Sequence, residues 1–273
     1  KLVDKISFLK KSLNGGGVVA SSVLARFFIG FVTQVVLARM LEPKAFGVIA
    51  YATAVAMFVN PLTNLHGDKY VIQNDESPES AVNVAFTLEL ILSLLFMTAV
   101  FIGAPTVMKA LDKSELTIYV QFMSVSFLYN PFSRPRCLLE RDLLFFRSRY
   151  PFIISQFISA MLAISLAAFG FGVWSLLCWR LSVLVWEVLI LWLIAPHRPC
   201  LVWDWDVAKS IIRFSWPLVG SSFLVFFYYN VDYFIIMQSL EDGKVQLGYY
   251  WLGFQIGAYF LMARQVIYHV LFP

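Results

Sequence analysis

Of the 273 residues, 60% are hydrophobic and only 14% charged, and the mean hydropathy is +0.74; a soluble domain carries about 25% charged residues. The net charge of +4 is spread over the connections between apolar runs, which excludes a nucleic-acid footprint and leaves an all-α, polytopic membrane helix bundle. Cys137, Cys178 and Cys200 lie far apart with no CxxC or Cys/His spacing, so they predict packing residues rather than a metal site, a cofactor site or a disulfide framework.

Taken in order, the chain opens with Leu2, Ile6, Leu9 and Leu13 at helical spacing, with Lys1, Lys5, Lys10 and Lys11 between them. This is a basic amphipathic lead-in on the membrane surface, or else the solvated first turns of the first span. There is no initial Met and no cleavage pattern, so the first span, Leu13 to Met40, is predicted to be retained. Arg26 sits near its middle. With about 1.5 Å of rise per residue and roughly 20 residues to cross the hydrocarbon, that guanidinium lies near midplane and calls for a bundle interior or a wet cavity.

The second span is predicted from about Phe46 to Leu65, entered through Pro43 and kinked at Asn60-Pro61. His66 to Ser80 reads as a polar loop. The third span, about Ala81 to Ile102, holds Glu89. The fourth runs from near Leu116 to the Asn130-Pro131 break, and is followed by Arg134, Arg136, Arg141, Arg147 and Arg149 among aromatics. Those arginines read as a cytoplasmic anchor, or as a grip on an anionic head group. The fifth and sixth spans, about Phe152 to Ala168 and Val173 to Ile194, flank the turn Gly170-Phe171-Gly172. Arg180 and Glu187, two helical turns apart, share a face of the sixth. The seventh, about Trp216 to Ile236, carries Asn230 and Asp232, and the eighth, about Leu247 to Val270, carries Arg264.

With the N-terminus inside, thirteen Lys and Arg fall in inner connections and five in outer ones, which supports that orientation. A shift of 200 residues lays VASSVLARF, from Val19, over VGSSFLVFF, from Val219, with five of nine identical. The next turn recurs too: Leu41-Glu42, Lys44 and Gly47 against Leu240-Glu241, Lys244 and Gly248. The seventh and eighth spans therefore look like the start of a second six-span unit in the same orientation. Residues 1–200 form one lobe, 201–273 begin another, and the natural chain is expected to continue by about four more spans, with a substrate path between the lobes.

The stretch LARMLEPKAFGVIAYATAVAMFVNPLTNLHGDKYVIQ, from Leu37 to Gln73, resembles the N-terminal signature of the polysaccharide transport family, the Wzx-like O-antigen and exopolysaccharide flippases. LLERDLLFF, FGFGVWSLL, IIRFSWPL and LGYYWLG follow in the family's order. His66 to Tyr70 departs from it, being more polar than the family's usual small-apolar run. The resemblance implies a MATE-like fold of two six-helix lobes around a central cavity, the second lobe incomplete here. It further implies alternating-access transport of an undecaprenyl-diphosphate-linked oligosaccharide across the bacterial inner membrane, for lipopolysaccharide, capsule or exopolysaccharide. Membrane lipids surround such a protein, and a polysaccharide polymerase and a chain-length regulator are the protein partners implied.

A diphosphate must be shielded from hydrocarbon, and a guanidinium meets phosphate oxygens bidentately. Arg26 is the first candidate for that role, with a pair to Glu89 or Glu187, or snorkelling, as its structural alternatives. Arg180 and Arg264 are further cavity candidates. Glu89, Glu187 and Asp232 are candidates for a coupling proton or cation, or simply for balancing the arginines. The runner-up function is a MATE-like, cation-coupled exporter of small amphiphiles. An enzyme reading has one hook, Asp204-Trp205-Asp206, whose D-x-D spacing suits a metal-bound sugar nucleotide; Asp206 just before an amphipathic helix suits a cap better. No nucleophile elbow or phosphate loop accompanies it, so no enzyme is expected.

Overall fold

The computed structural model describes the backbone of residues 2–73, 78–195 and 197–271, and the side chains of residues 21–72, 79–195 and 197–258. Among these residues the chain is helical throughout, without a strand. Six segments are long and apolar enough to cross a membrane: Ser21–Met40, Pro43–Ile72, Glu79–Ala110, Phe145–Ala168, Val173–Ile194 and Trp205–Ser239. The protein is a multi-pass membrane helix bundle.

The helices are α1 (Leu2–Met40), α2 (Pro43–Thr63), α3 (Gly67–Gln73), α4 (Pro78–Ala110), α5 (Thr117–Ser124), α6 (Tyr129–Phe132), α7 (Pro135–Arg141), α8 (Phe145–Ala168), α9 (Val173–Ile194), α10 (Trp205–Ser239) and α11 (Gly243–Leu271). The lead-in continues straight into α1, and the side chains of residues 1–12 lie outside the described residues. Pro43 opens α2 at a position where no amide hydrogen is needed. Gly170 and Gly172, with φ of 81° and 55°, make the tight turn between α8 and α9. At 35 residues α10 is about 52 Å long, more than the hydrocarbon core, so its ends reach into the interfaces.

Three expectations change. The fourth span is not one helix: a 3₁₀ turn at Val125–Leu128 separates α5 from α6. Pro131 supplies no N–H to the carbonyl of Phe127, four residues earlier, and Ser93 Oγ of α4 donates to it at 2.9 Å. Pro105 leaves Phe101 in the same position within α4, and Gln121 Nε2 of α5 donates to that carbonyl at 2.8 Å. The two Asn-Pro breaks also meet, since Asn130 Nδ2 donates to Asn60 Oδ1 at 3.1 Å and to Thr63 Oγ1 at 2.9 Å.

Second, the predicted loop from His66 contains α3, because Val71 packs with Ala81, Val82, Cys137 and Leu138 in a small apolar cluster. Third, the arginine-rich stretch is not all one kind of surface: Arg134 is drawn into the bundle, whereas Arg147 stays exposed. The stretch forms α7 and the start of α8, and Arg134 is 4% exposed.

The main core surrounds α2, whose residues from Ala45 to Ala54 are almost all buried. α8 packs along both α1 and α9, and α2 packs along α11. α1 touches α11, and α10 touches α2. Residues of α2, α9, α10 and α11 come together around a cavity.

Candidate functional site

Those four helices border a partly open cavity of about 380 Å³, lined by Ala50, Thr53 and Met57 of α2 and Arg180 of α9 on one side. Ser222, Phe226, Tyr229, Asn230 and Tyr233 of α10, with Trp251, Phe254 and Gln255 of α11, line the other. Aromatic faces dominate the wall, interrupted by hydroxyls and amides, a surface suited to the stacking and hydrogen bonding of a sugar. Arg180 is half-buried and its guanidinium lies over the Trp251 ring, 5.7 Å from the centroid. A cation stacked on indole stands beside the aromatic wall of the cavity, with a planar, delocalised charge of the kind that suits phosphate recognition.

Arg26 is exposed on α1 and stacks on Phe152 of α8 at 4.7 Å. It is not among the residues that line the cavity. Asp232 lies between the cavity residues Asn230 and Tyr233 of α10 without lining the cavity itself; it is half-buried and accepts hydrogen bonds from the Tyr250 hydroxyl and, at 3.1 Å, from the Tyr233 N–H. The side chain of Arg264 lies outside the described residues.

Glu89 and Glu187 are both fully buried, and each is held by an arginine from the segment that follows the Asn130-Pro131 break. Arg134 Nε lies 2.5 Å from Glu89 Oε2, Nη1 meets Asp68 Oδ1 at 3.1 Å, and Nη2 donates to Asn64 Oδ1 at 3.2 Å. The other Glu89 oxygen accepts from the amides of Leu65 and Gly67, at 3.2 and 3.4 Å. Burial works against the charge on Arg134, but Glu89 and Asp68 outweigh it and raise its pKa. Arg136 pairs with Glu187 and donates to Tyr129 Oη at 3.1 Å. Cys137, between these arginines, is pushed by burial to a pKa of about 12.

The pairing follows from chemistry available in the sequence. A carboxylate buried in a span needs a cation, and Arg134 and Arg136 stand just beyond the proline break that turns the chain back into the bundle. The D-x-D hook resolves as a cap: Asp204 Oδ1 accepts from the amides of Asp206 and Val207, at 3.0 and 3.2 Å. Asp204, rather than Asp206, is the capping residue.

Comparison with known proteins agrees with this architecture. The family described as polysaccharide biosynthesis protein matches residues 36–273. The succinoglycan biosynthesis transport protein ExoT of Rhizobium meliloti (strain 1021) is 28% identical over 227 residues, which covers 81% of this chain and 46% of that protein. An uncharacterized membrane protein in the cps region of Klebsiella pneumoniae is 24% identical over 127 residues, 46% of this chain and 26% of its own length. The chain therefore spans less than half the length of either relative. No solved structure matches it at a significant level.

Proposed function

The chain belongs to the polysaccharide biosynthesis protein family, and from that premise we propose that it is a flippase. It moves an undecaprenyl-diphosphate-linked oligosaccharide across the bacterial inner membrane by alternating access, with its N-terminus in the cytoplasm. The observation that carries the reading is the cavity between α2 and α9 on one side and α10 and α11 on the other, walled by aromatics and holding the Arg180 guanidinium. In low-dielectric surroundings that charge offsets the cost of carrying phosphate past hydrocarbon, while Tyr229, Trp251 and Phe254 offer ring faces to the glycan. The succinoglycan relative, whose name describes transport in polysaccharide biosynthesis, supports the same direction.

Coupling falls to Asp232 among the three candidate carboxylates, because Glu89 and Glu187 are already engaged by Arg134 and Arg136. That arrangement weighs against a cation-coupled exporter that depends on an acidic cavity.

The test is complementation of a flippase-deficient strain by the full-length gene carrying Arg180→Ala, Arg180→Lys or Arg26→Ala. Arg180→Ala abolishes polysaccharide at equal expression, Arg180→Lys retains part of it, and Arg26→Ala, outside the cavity, has the smaller effect. Wild-type polysaccharide from Arg180→Ala would remove the assigned role. Loss with Arg26→Ala alone would return it to α1.

A further inference from the structure

One close helix approach near the cavity joins segments that the sequence pattern pairs as repeats. α2 and α11 cross where Gly47 and Gly248 face each other: a methyl built on Gly47 would overlap the carbonyl oxygen of Lys244, and one built on Gly248 would overlap that of Pro43. The added Cβ atoms would also stand 3.0 Å from the Gly248 amide nitrogen and 3.3 Å from that of Gly47. Pro43 precedes Gly47 by four residues and Lys244 precedes Gly248 by four, so each glycine meets the same point on its counterpart. The crossing has a local two-fold relation.

The cavity begins one turn further along. Ala50 and Thr53 stand three and six residues past Gly47, and Trp251 and Phe254 stand three and six past Gly248. The glycine crossing therefore lies just beyond one end of the cavity, the end at which α2 and α11 begin. Phe46 stacks on Trp251 at 5.8 Å behind them, and Lys244 pairs with Glu115 on the far side, tying α11 to the segment that opens the fourth span.

We propose that this glycine crossing is the seal of the cavity at that end, and that parting α2 from α11 is the movement that opens it. The inference rests on the transport reading for its purpose, but the seal itself is a statement about access. Backbone laid on backbone excludes water tightly, as small residues permit between membrane helices. At the glycines themselves the attraction is made of weak Cα–H···O and dispersion contacts, while the buried Phe46, Leu247 and Trp251 beside them hold the crossing closed at rest. The exposed half of the Lys244–Glu115 pair leaves that lock open to water and easily released. A side chain at either glycine cannot be accommodated by rotamer change, because the obstacle is a carbonyl of the neighbouring helix.

The experiment uses the full-length protein in its native membrane, with its native cysteines replaced and Thr53→Cys as a reporter in the cavity, probed with a membrane-impermeant maleimide from the side on which α2 begins. The parent reporter labels slowly. Gly47→Ala and Gly248→Ala each raise labelling several-fold, and the double variant adds little, because either methyl already parts the crossing. Glu115→Lys also raises it, and Glu115→Lys with Lys244→Glu restores slow labelling. Glycine variants that accumulate normally and label as slowly as the parent would overturn the seal. Where they do not accumulate, the charge-swap series decides, and labelling unchanged throughout it would overturn the seal equally. Increased labelling with normal lipid-linked saccharide export keeps the seal but detaches it from transport, whereas slow labelling with lost export leaves the flippase reading standing without it.

Discussion

Arg134 shows why a charge inside this bundle is structural before it is functional. Its three polar contacts are to Glu89 of α4, Asp68 of α3 and Asn64 of the turn between α2 and α3, so one guanidinium ties the start of α7 to three earlier segments. Leaving Glu89 buried without it strands a carboxylate at 0% exposure, and removing one partner of such a pair costs about 3–5 kcal/mol. Arg134→Ala is therefore expected to lower thermal stability in detergent sharply, and Glu89→Gln to lower it less, since the amide still accepts from the Leu65 and Gly67 amides. Arg134→Met combined with Glu89→Leu is expected to recover much of the loss, because an apolar pair strands no charge. Equal stability of Arg134→Ala and the parent, measured by a fluorescence-detected melting curve, would show that the carboxylate is already neutral or solvated.

Among the helices, the proline breaks carry information that periodicity does not. The third span was legible as an apolar run and Val173–Ile194 matched its predicted bounds, because length and hydropathy alone define a span, whereas the fourth is broken by the 3₁₀ turn at Val125–Leu128. Their joint geometry was not legible, since nothing local says that Ser93 serves the carbonyl orphaned by Pro131 or that Gln121 serves the one orphaned by Pro105. The same holds for the site: the carboxylates stood out by being charged in apolar runs, whereas their partners looked like loop residues. Arg180 could be named but not placed, because its neighbours Trp251 and Tyr229 belong to helices some fifty to seventy residues away. A cycle tests the proline argument. Ser93→Ala is expected to cost about 0.5–1.5 kcal/mol by removing the side-chain hydrogen bond to the Phe127 carbonyl, which also accepts from the Tyr129 N–H; in a Pro131→Ala background the restored amide should take that carbonyl, and the cost should shrink to about a few tenths. Additive losses in the two backgrounds, read from melting curves of all four variants, would mean that Ser93 acts through something other than the break.

For the molecule as a whole, the sidedness of the bundle decides which end of the cavity the glycine crossing closes. The loop and helix start from His197 to Trp216 hold Arg198, Lys209 and Arg213 beside exposed Trp203, Trp205 and Trp216, a cationic and aromatic border of the kind found at a cytoplasmic membrane face. Asn83 of α4 accepts from the Cys200 amide at 3.0 Å, and Thr87 accepts from the Val202 amide at 3.0 Å, so this connection lies fixed against the bundle with the Cys200 side chain exposed. Native chemistry thus supplies a reporter. Cys137 is buried and its thiol, held at about 12, stays protonated at working pH; replacing Cys178 with Ala removes the thiol within α9. An impermeant maleimide is then expected to label Cys200 rapidly in inverted membrane vesicles and not in spheroplasts, with Cys200→Ser as the blank. Labelling from the spheroplast exterior instead would invert the bundle: the thirteen-to-five distribution of cations would then run against the membrane rule, and the Gly47–Gly248 seal would guard the cytoplasmic mouth rather than the outer one.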